Sequence, residues 1–294
     1  MITHPDKVLF PGDGITKGEL ASYYQAIAPV MLPHLRGRPV TMERYPGGID
    51  AKGFFQKDVS RGSPEWLARV EVPKKGGRNL HPLVGDERSL LWLANQNCIT
   101  PHVWSSRAPK LYHPDLSVFD LDPSEEAPDV LRATALGLRE LLDQLGLPSW
   151  VKTSGSKGFH IVVPLDAKAG YDEVFRFAHA VGTLLVERDP KNLTQEFSKA
   201  DRGGRIFIDT GRNGYGATFA AAYAVRPKPG APVSAPCTWE ELERAEVGPR
   251  TFTLRNLPSR VAQVGDLWWN IRGRGRSLRR PMERLRRLAV RRQS

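Results

Sequence analysis

The middle of the chain carries the clearest pattern of hydrophobic and polar positions. Apolar residues at helical spacing predict two amphipathic helices, over residues 129–145 and 172–187, and Gly146 stands where the first would end. Runs rich in β-branched and aromatic residues predict four strands, over residues 116–122, 149–153, 159–164 and 205–209. The order β-α-β-β-α-β is the split βαβ pattern, which places the strands in the spatial order fourth, first, third, second.

The first 115 residues show a mixed pattern. A helix is predicted over about residues 17–35, and strands over residues 39–45 and 68–72, separated by glycine-rich turns. We therefore predict an α/β (α+β) fold in which residues 116–270 form a split β-α-β-β-α-β catalytic platform. Residues 1–115 would pack against it as an N-terminal mixed α/β extension, giving one domain over residues 1–270.

Charge separates the last segment from the rest. Residues 271–294 contain ten arginines and one glutamate, so they carry most of the net charge of +11. Such a basic tail suits phosphate backbones, and a solvated extension is the alternative. No apolar stretch is long enough to span a membrane and no signal-peptide pattern opens the sequence, so the cytoplasm is the expected location. Two cysteines are too few for a disulfide framework.

Three acidic residues fall on strands that the split topology makes neighbours. Asp120 and Asp122 alternate along the first strand and share a face, while Asp209 ends the fourth strand beside them. Clustered carboxylates repel unless cations sit on them, and hard oxygen ligands suit Mg²⁺ or Mn²⁺. The sequence thus predicts a site for two metal ions, with three unrelated surface acids as the alternative.

The segment before the third predicted strand is rich in groups that bind phosphate. It combines two glycines and two hydroxyls with a lysine and a histidine, in Ser154-Gly155-Ser156-Lys157-Gly158-Phe159-His160. Backbone N–H groups, Lys157 and His160 could cradle a phosphate there, although the segment lacks the spacing of a Walker A loop. A hairpin turn is the structural alternative, and three carboxylates nearby favour the cradle.

These motifs together resemble a known family. The sequence is similar to the archaeo-eukaryotic primase superfamily, and within it to the polymerase domains of bacterial ligase D. The resemblance rests on four ordered motifs and extends to about Trp268: Asp6-Lys7-Val8-Leu9-Phe10-Pro11, Asp120-Leu121-Asp122-Pro123, the 154–160 run, and Phe207-Ile208-Asp209 with Arg212-Asn213-Gly214.

The resemblance implies roles for residues that spacing alone does not assign. Asp120, Asp122 and Asp209 would be catalytic metal ligands. The nucleotide would be bound by Ser154, Ser156, Lys157, His160 and Arg226, with His102 near its sugar. Lys7 and Lys17 would bind a downstream 5′-phosphate of DNA, and Phe54, Phe55 and Arg202 would stack on DNA or lie near the template. Lys228 departs from the two-arginine form of its segment, so only Arg226 is assigned there.

The implied activity is template-dependent addition of NTPs or dNTPs to DNA 3′ ends and the filling of short gaps. The resemblance places this reaction in non-homologous end joining, with a preference for ribonucleotides, alongside Ku and a separate ligase, and the protein would associate with the nucleoid. A replicative primase is the alternative within the enzyme class. A metal-dependent nuclease or a non-catalytic DNA-end-binding protein would use only part of the predicted site.

Overall fold

The N-terminal part of the chain folds into short strands and two helices. The computed structural model describes residues 2–290, except for the side chain of Ala289. The elements up to residue 103 are β1 (Val8–Phe10), β2 (Ile15–Thr16), α1 (Lys17–Leu35), β3 (Val40–Arg44), β4 (Phe54–Gln56), β5 (Arg69–Lys74), β6 (Gly77–Pro82), α2 (Glu87–Asn95) and β7 (Cys98–Val103).

The rest of the chain contains the predicted platform and its additions. Its elements are β8 (Leu116–Pro123), α3 (Pro128–Leu145), β9 (Trp150–Thr153), β10 (Phe159–Pro164), α4 (Tyr171–Arg188), β11 (Leu193–Thr194), β12 (Ile206–Asp209), β13 (Phe219–Ala220), β14 (Ala224–Val225), β15 (Val233–Ser234), β16 (Pro236–Cys237), α5 (Trp239–Glu243), α6 (Leu257–Val264) and α7 (Arg279–Val290). The predicted β-α-β-β-α-β order is confirmed as β8-α3-β9-β10-α4-β12.

Local sequence signals explain where the helices begin and end. At the start of α1, Thr16 accepts from the Glu19 N–H and the Glu19 carboxylate accepts from the Thr16 N–H, a capping box. Proline at the first position starts α3, and Gly146 ends it with a left-handed φ of 78°. The predicted helix over residues 17–35 and the predicted end of α3 are therefore confirmed.

A six-stranded sheet holds the centre of the molecule, in the order β11-β12-β8-β10-β9-β16. The four predicted strands lie in the predicted spatial order, and each neighbouring pair among them is antiparallel. Helices α3 and α4 pack on one face through apolar side chains such as Leu138, Leu142 and Phe177. The opposite face of β8, β10 and β12 is left for the functional side chains.

The N-terminal extension faces the open side of this sheet. A second sheet, in the order β13-β7-β3-β4, joins residues from both parts of the chain. Buried hydroxyls join the two parts: Tyr23 donates to the Tyr223 carbonyl at 2.7 Å and Thr100 donates to the Val225 carbonyl at 2.6 Å. The second sheet thus forms one wall over the open face of the first.

The arginine-rich segment differs from the predicted tail. Within residues 2–290, residues 279–290 form α7, which packs against α3 and α4. Leu278 and Leu285 are buried in the core, and Ile271 is buried just before them. Apolar residues at helical spacing dock this helix while its arginines face solvent, so the segment belongs to the folded domain as far as residue 290. Residues 291–294 lie outside the described part of the chain.

Among residues 2–290, no helix is both long enough and apolar enough to cross a membrane.

Candidate active site

One row of side chains crosses four adjacent strands on the open face of the central sheet. In the register, Asp209 on β12 pairs with Asp120 on β8, Asp120 pairs with His160 on β10, and His160 pairs with Lys152 on β9. Directly paired residues of antiparallel strands point to the same face. The row therefore brings two acids, an imidazole and an ammonium group together.

The third predicted acid lies one step further along the same strand. Asp122 shares the face of Asp120 because side chains alternate along β8, and it pairs with Phe207 of β12. The Asp122 side chain is the most exposed of the three, at 38 % against 16 % for Asp120 and for Asp209. The three predicted carboxylates are thus brought to one surface.

Arginine side chains balance these carboxylates. Nε of Arg212 lies 3.3 Å from Asp120 Oδ2 and 3.2 Å from Asp209 Oδ2. Asn213 holds this arginine in place, since its side-chain amide accepts from the Val118 N–H and donates to the Val118 carbonyl of β8. Residues 212–214 therefore hold their loop against β8, which places the Arg212 side chain between Asp120 and Asp209.

The charge balance is also visible in the acid pKa values. Burial raises the pKa of Asp120, but His160, Arg212 and Lys152 outweigh it and hold that pKa well below its usual range. Burial raises the pKa of Asp209, and the Asp120 and Asp122 carboxylates raise it further against the opposing effect of Arg212. Carboxylates that disfavour each other's charge in this way form a suitable environment for a divalent cation.

The acids do not already form a closed metal cage. Among residues 2–290, no three His, Cys, Asp or Glu side chains are drawn close enough together to bind an ion directly. The donor chemistry nevertheless fits Mg²⁺ or Mn²⁺, because the groups are carboxylate oxygens that open onto a polar cleft.

His160 is fixed by its neighbours on both sides. Its Nδ1 lies 2.8 Å from Nζ of Lys152, and its Nε2 lies 3.3 Å from Asp120 Oδ1. Because the ionised Asp120 carboxylate can only accept, Nε2 carries the proton that faces it, and Nδ1 accepts from Lys152. Burial, followed by the Lys152 charge, lowers the pKa of His160 to about 4, so the imidazole is neutral at pH 7.

The predicted phosphate cradle folds as a tight turn between β9 and β10. Ser154 Oγ accepts from the N–H groups of Ser156 and Gly158, both at 3.1 Å. Position 158 requires glycine, because the Cβ of any other residue there would lie 1.6 Å from the Leu121 carbonyl oxygen. Gly155 has φ of 64°, and a Cβ there would meet the side chain of Arg226 at 2.6 Å. The turn can therefore lie directly against Arg226.

His102 lies on the wall formed by the second sheet. Its Nε2 is 2.8 Å from the Glu43 carboxylate, and its ring meets the Phe55 ring edge-on with centroids 5.2 Å apart. Burial lowers the pKa of His102 to about 4 although the Glu43 contact opposes it. A neutral imidazole held by Glu43 thus faces the cleft.

All the catalytic and nucleotide-binding residues that the sequence predicts line a single cleft of about 180 Å³. They are His102, Asp120, Asp122, Ser154, Ser156, Lys157, His160, Asp209 and Arg226. Sequence reasoning missed Lys152, Glu43 and the position of Arg212. A lysine inside an apolar core strand and a glutamate inside β3 were signals that could have pointed to the first two.

The two predicted 5′-phosphate ligands also lie near each other. The Lys17 N–H donates to the Lys7 carbonyl at 2.8 Å, joining the start of α1 to β1. Burial lowers the pKa of Lys17, and the charges of Lys7 and then Arg44 lower it further. Lys7 is exposed, whereas Lys17 is 2 % exposed and its Nζ donates to Thr3 at 3.2 Å. Only Lys7 is fully accessible from solvent.

The remaining predicted DNA contacts fall in two different environments. Phe54 and Phe55 are exposed by 45 % and 60 % on β4, the edge strand of the second sheet. Arg202 is buried instead: it stacks on Phe207 with its guanidinium carbon 4.0 Å from the ring centroid, and NH1 lies 3.2 Å from Asp122 Oδ2. Its guanidinium is therefore engaged with a predicted metal ligand rather than presented as a loop contact.

Fold and site together define the class. A split sheet that carries acids and a glycine- and serine-rich turn in one cleft is the arrangement of a primase-polymerase nucleotidyltransferase, a class that uses nucleotide substrates and divalent metal ions. The model of the family described as "LigD, primase-polymerase domain" matches residues 16–268, and the chain belongs to that family.

Individual relatives agree with this assignment. The chain is 35 % identical to the multifunctional non-homologous end joining protein LigD of Mycolicibacterium smegmatis, over 90 % of this chain and 35 % of that protein. It is 36 % identical to the LigD protein of Pseudomonas aeruginosa, over 91 % of this chain and 32 % of that protein. The chain thus spans about a third of the length of these relatives.

A solved structure has the same fold. The polymerase domain of Mycobacterium tuberculosis ligase D, determined in complex with DNA, superposes with a TM-score of 0.87 at 34 % identity. The match covers 92 % of this chain and 97 % of that one. The similarity therefore extends over the whole domain.

Proposed function

We propose that this protein extends DNA 3′ ends and fills short gaps at DNA breaks during non-homologous end joining. The observation that carries this proposal is the convergence of three carboxylates and the glycine- and serine-rich turn at residues 154–158 in one cleft. Relatives that match nearly the whole chain are named for non-homologous end joining, which supports the process.

The reaction would be attack of a primer 3′-hydroxyl on the α-phosphorus of a nucleoside triphosphate. A phosphodiester bond forms as the bond from the α-phosphorus to the bridging oxygen breaks, and pyrophosphate and the hydroxyl proton are released. Asp120, Asp122 and Asp209 would hold two Mn²⁺ or Mg²⁺ ions, in competition with the guanidinium groups of Arg202 and Arg212. When bound, such ions lower the pKa of the attacking hydroxyl and neutralise charge on the triphosphate.

The chain's own groups would position the nucleotide. Ser154, Ser156, Lys157 and Arg226 would bind its phosphates, with Arg226 held against the turn by the lack of a side chain at Gly155. His160 would donate through Nε2, because Lys152 occupies Nδ1. In this arrangement catalysis is mainly positioning and electrostatic stabilisation.

The wall of the cleft would contact the sugar and the bases. His102, oriented by Glu43, would lie next to the nucleotide sugar, and Phe55 packs against its ring. Exposed aromatic rings bind bases by stacking, so Phe54 and Phe55 would stack at the gap. Arg202 would lie near the template once its guanidinium has released Asp122.

The N-terminal part, residues 1–115, would recognise the downstream strand, while residues 116–270 form the catalytic platform. Lys7 and Lys17 would bind a 5′-phosphate next to the N-terminus of α1, where the helix dipole favours an anion. Arg44 adds charge to the same region and packs on Phe54. The phosphate site and the stacking residues would then form one continuous DNA surface.

The wider role follows from the same assignment. Ku would bring the protein to a DNA end in the nucleoid, a separate ligase would seal the filled break, and ribonucleotides would be preferred over deoxyribonucleotides. These partners and this preference are supported by the resemblance of the motifs and by the process named for the relatives.

Primer extension on gapped DNA tests the proposal. Wild-type protein is expected to add nucleotides with Mn²⁺ or Mg²⁺, faster with NTP than with dNTP, and faster when the downstream strand carries a 5′-phosphate. Adding purified Ku should increase extension of broken ends but not of an intact primer-template. Synthesis that starts without a primer and ignores the 5′-phosphate would instead favour a primase, and strand shortening would favour a nuclease.

A further inference from the structure

A second cleft adjoins the nucleotide cleft on the side of the phosphate-binding turn. It has a volume of about 610 Å³, and it shares Ser156 and Lys157 with the nucleotide cleft but none of the three predicted metal-binding aspartates. One of its walls is the loop around Pro249 and Arg250, and the other starts at Glu125 and Glu126. A ligand bound in this second cleft would therefore contact the turn without contacting the three aspartates of the nucleotide cleft.

The loop at residues 248–251 supports the turn directly. The Gly155 N–H donates to the Pro249 carbonyl at 3.1 Å, and Arg250 Nε donates to the Ser156 carbonyl at 2.8 Å. Nε is the only side-chain nitrogen of Arg250 that makes a hydrogen bond to the described residues, so the two terminal nitrogens have no partner within residues 2–290. Arg250 is thus anchored at one end and exposed at the other.

Positive charge accumulates around this anchored arginine. Burial lowers the pKa of Lys228, and the charges of Arg250, Arg226 and Lys157 lower it further, so the four cations lie near one another. None of the four forms an ion pair with a carboxylate in the described part of the chain. The Glu43 charge opposes this lowering of the Lys228 pKa but balances at most one of the four cations, so the cluster favours an anion with several charges.

We propose that Arg250 binds the terminal phosphate of the incoming nucleoside triphosphate, and the pyrophosphate after its release, from the second cleft. This proposal rests on the proposed function, because it extends the phosphate-binding site built by Lys157 and Arg226. The anchored Nε leaves two terminal N–H₂ groups for a phosphate, the two-pronged geometry that arginine provides. Lys228 adds a positive charge to the same end of the triphosphate.

The test compares ligands that differ in phosphate number. Binding of ATP, ADP and AMP is measured in the presence of metal and a primer that cannot be extended, for wild type and for Arg250→Ala. Affinity for ATP should fall roughly five- to tenfold, which is the range for one partly exposed charged contact. Affinity for AMP should not change, and inhibition by inorganic pyrophosphate should weaken by a similar factor to ATP binding.

Two further variants separate phosphate binding from support of the turn. Arg250→Lys keeps the charge and should recover most of the ATP affinity, whereas Arg250→Gln keeps a donor for the Ser156 carbonyl and should not. Arg244→Ala is the matched control, since it removes an exposed arginine of the same region that lines neither cleft. All variants should bind gapped DNA like the wild type.

The outcomes distinguish this inference from the function on which it rests. Equal loss of ATP and AMP binding in Arg250→Ala, or recovery by glutamine, would overturn it in favour of a structural role for the arginine. Loss of DNA binding with unchanged nucleotide affinity would assign the second cleft to DNA. If the wild-type protein itself bound no nucleotide, the proposed function and this inference would both fail.

Discussion

Nζ of Lys152 lies 2.8 Å from Nδ1 of His160 in a part of the sheet where both side chains are buried. The contact requires the register that pairs these residues across β9 and β10. Burial and the nearby Arg226 charge lower the pKa of Lys152 well below its usual value, and Ser234 also accepts from its ammonium group. Lys152 and Asp120 therefore hold the two imidazole nitrogens from opposite sides, with Nδ1 accepting from the lysine and Nε2 donating toward the carboxylate.

The first prediction concerns this pair. Lys152→Met keeps the length of the side chain but removes the positive charge next to Nδ1, so the pKa of His160 should rise. Nitrogen-15 NMR of the histidine ring over a series of pH values should show a higher pKa for His160 in the variant than in the wild type. Nucleotide addition should slow, and His179→Gln, a substitution of an exposed histidine, should leave the ring signals of His160 unchanged.

The second prediction tests the carboxylates. Asp120→Asn and Asp209→Asn should each reduce kcat for nucleotide addition by at least about 10²–10³-fold, since each removes charge where metal ions would bind. Affinity for gapped DNA should stay equal or increase, because removing negative charge from a phosphate-binding surface does not weaken it. Asp129→Asn, at an exposed acid of α3, is the control. If Asp120→Asn still extended primers at nearly the wild-type rate, the assignment of Asp120 as a metal ligand would be wrong.

The third prediction separates the two lysines of the 5′-phosphate site. Lys7→Ala should abolish most of the preference for a 5′-phosphorylated gap without changing the free energy of unfolding, because Lys7 is exposed. Lys17→Ala should reduce the preference and also lower that free energy by about 1 kcal/mol, since it removes a buried side chain that is bonded to Thr3. Lys75→Ala, in the exposed turn between β5 and β6, should change neither property.

The fourth prediction concerns pH. The pKa of His102 is about 4 in the folded protein and near the ordinary value of 6.5 in the unfolded chain, so the unfolded chain takes up the proton first on acidification. The free energy of unfolding should therefore fall as pH decreases from about 6.5 to about 4, by up to about 3 kcal/mol from this residue.

Denaturant unfolding at a series of pH values, without metal, measures that slope. His102→Gln should flatten it in this window because the substituted side chain does not titrate. His113→Gln, at an exposed histidine, should leave the slope as it is. An identical slope for wild type and His102→Gln would show that His102 is not held neutral by burial.

The fifth prediction concerns α7. If its exposed arginines bind DNA phosphates, the double substitution Arg280→Ala and Arg287→Ala should lower the salt dependence of DNA binding by about 0.9 for each duplex phosphate that is no longer neutralised. Catalysis at saturating DNA should persist. Deleting residues 279–294 should instead destabilise the protein by several kcal/mol, because Leu285 is buried in the core. An unchanged salt slope in the double variant would make α7 purely structural.

Much of the site could be predicted from local sequence. Alternation along β8 places Asp120 and Asp122 on one face, and the β-α-β-β-α-β order makes β12 a neighbour of β8, so the approach of Asp209 follows from chain order alone. The turn at Gly155 and Gly158 was also predictable, because few residues other than glycine tolerate such close approach of the backbone.

The arginine-rich segment shows how composition can hide a pattern. Four apolar residues recur at helical spacing, one just before α7 and three on the side of α7 that packs on the core: Leu278, Met282, Leu285 and Leu288. The high density of arginine suggested a basic tail that binds phosphates or is simply solvated, but a narrow apolar stripe is enough to dock a helix on α3 and α4.

Only the tertiary structure decided which charged groups meet. Glu43 reaches His102 because β3 pairs with β7, Lys152 reaches His160 because β9 pairs with β10, and Arg250 reaches Ser156 across 94 positions of sequence. The sequence by itself determined the strands, the helices and the acids, since these depend on periodicity and on residues close along the chain. Strand register and loop packing determine the partners of each charge, and they depend on the free energy of the whole core, which no local pattern encodes.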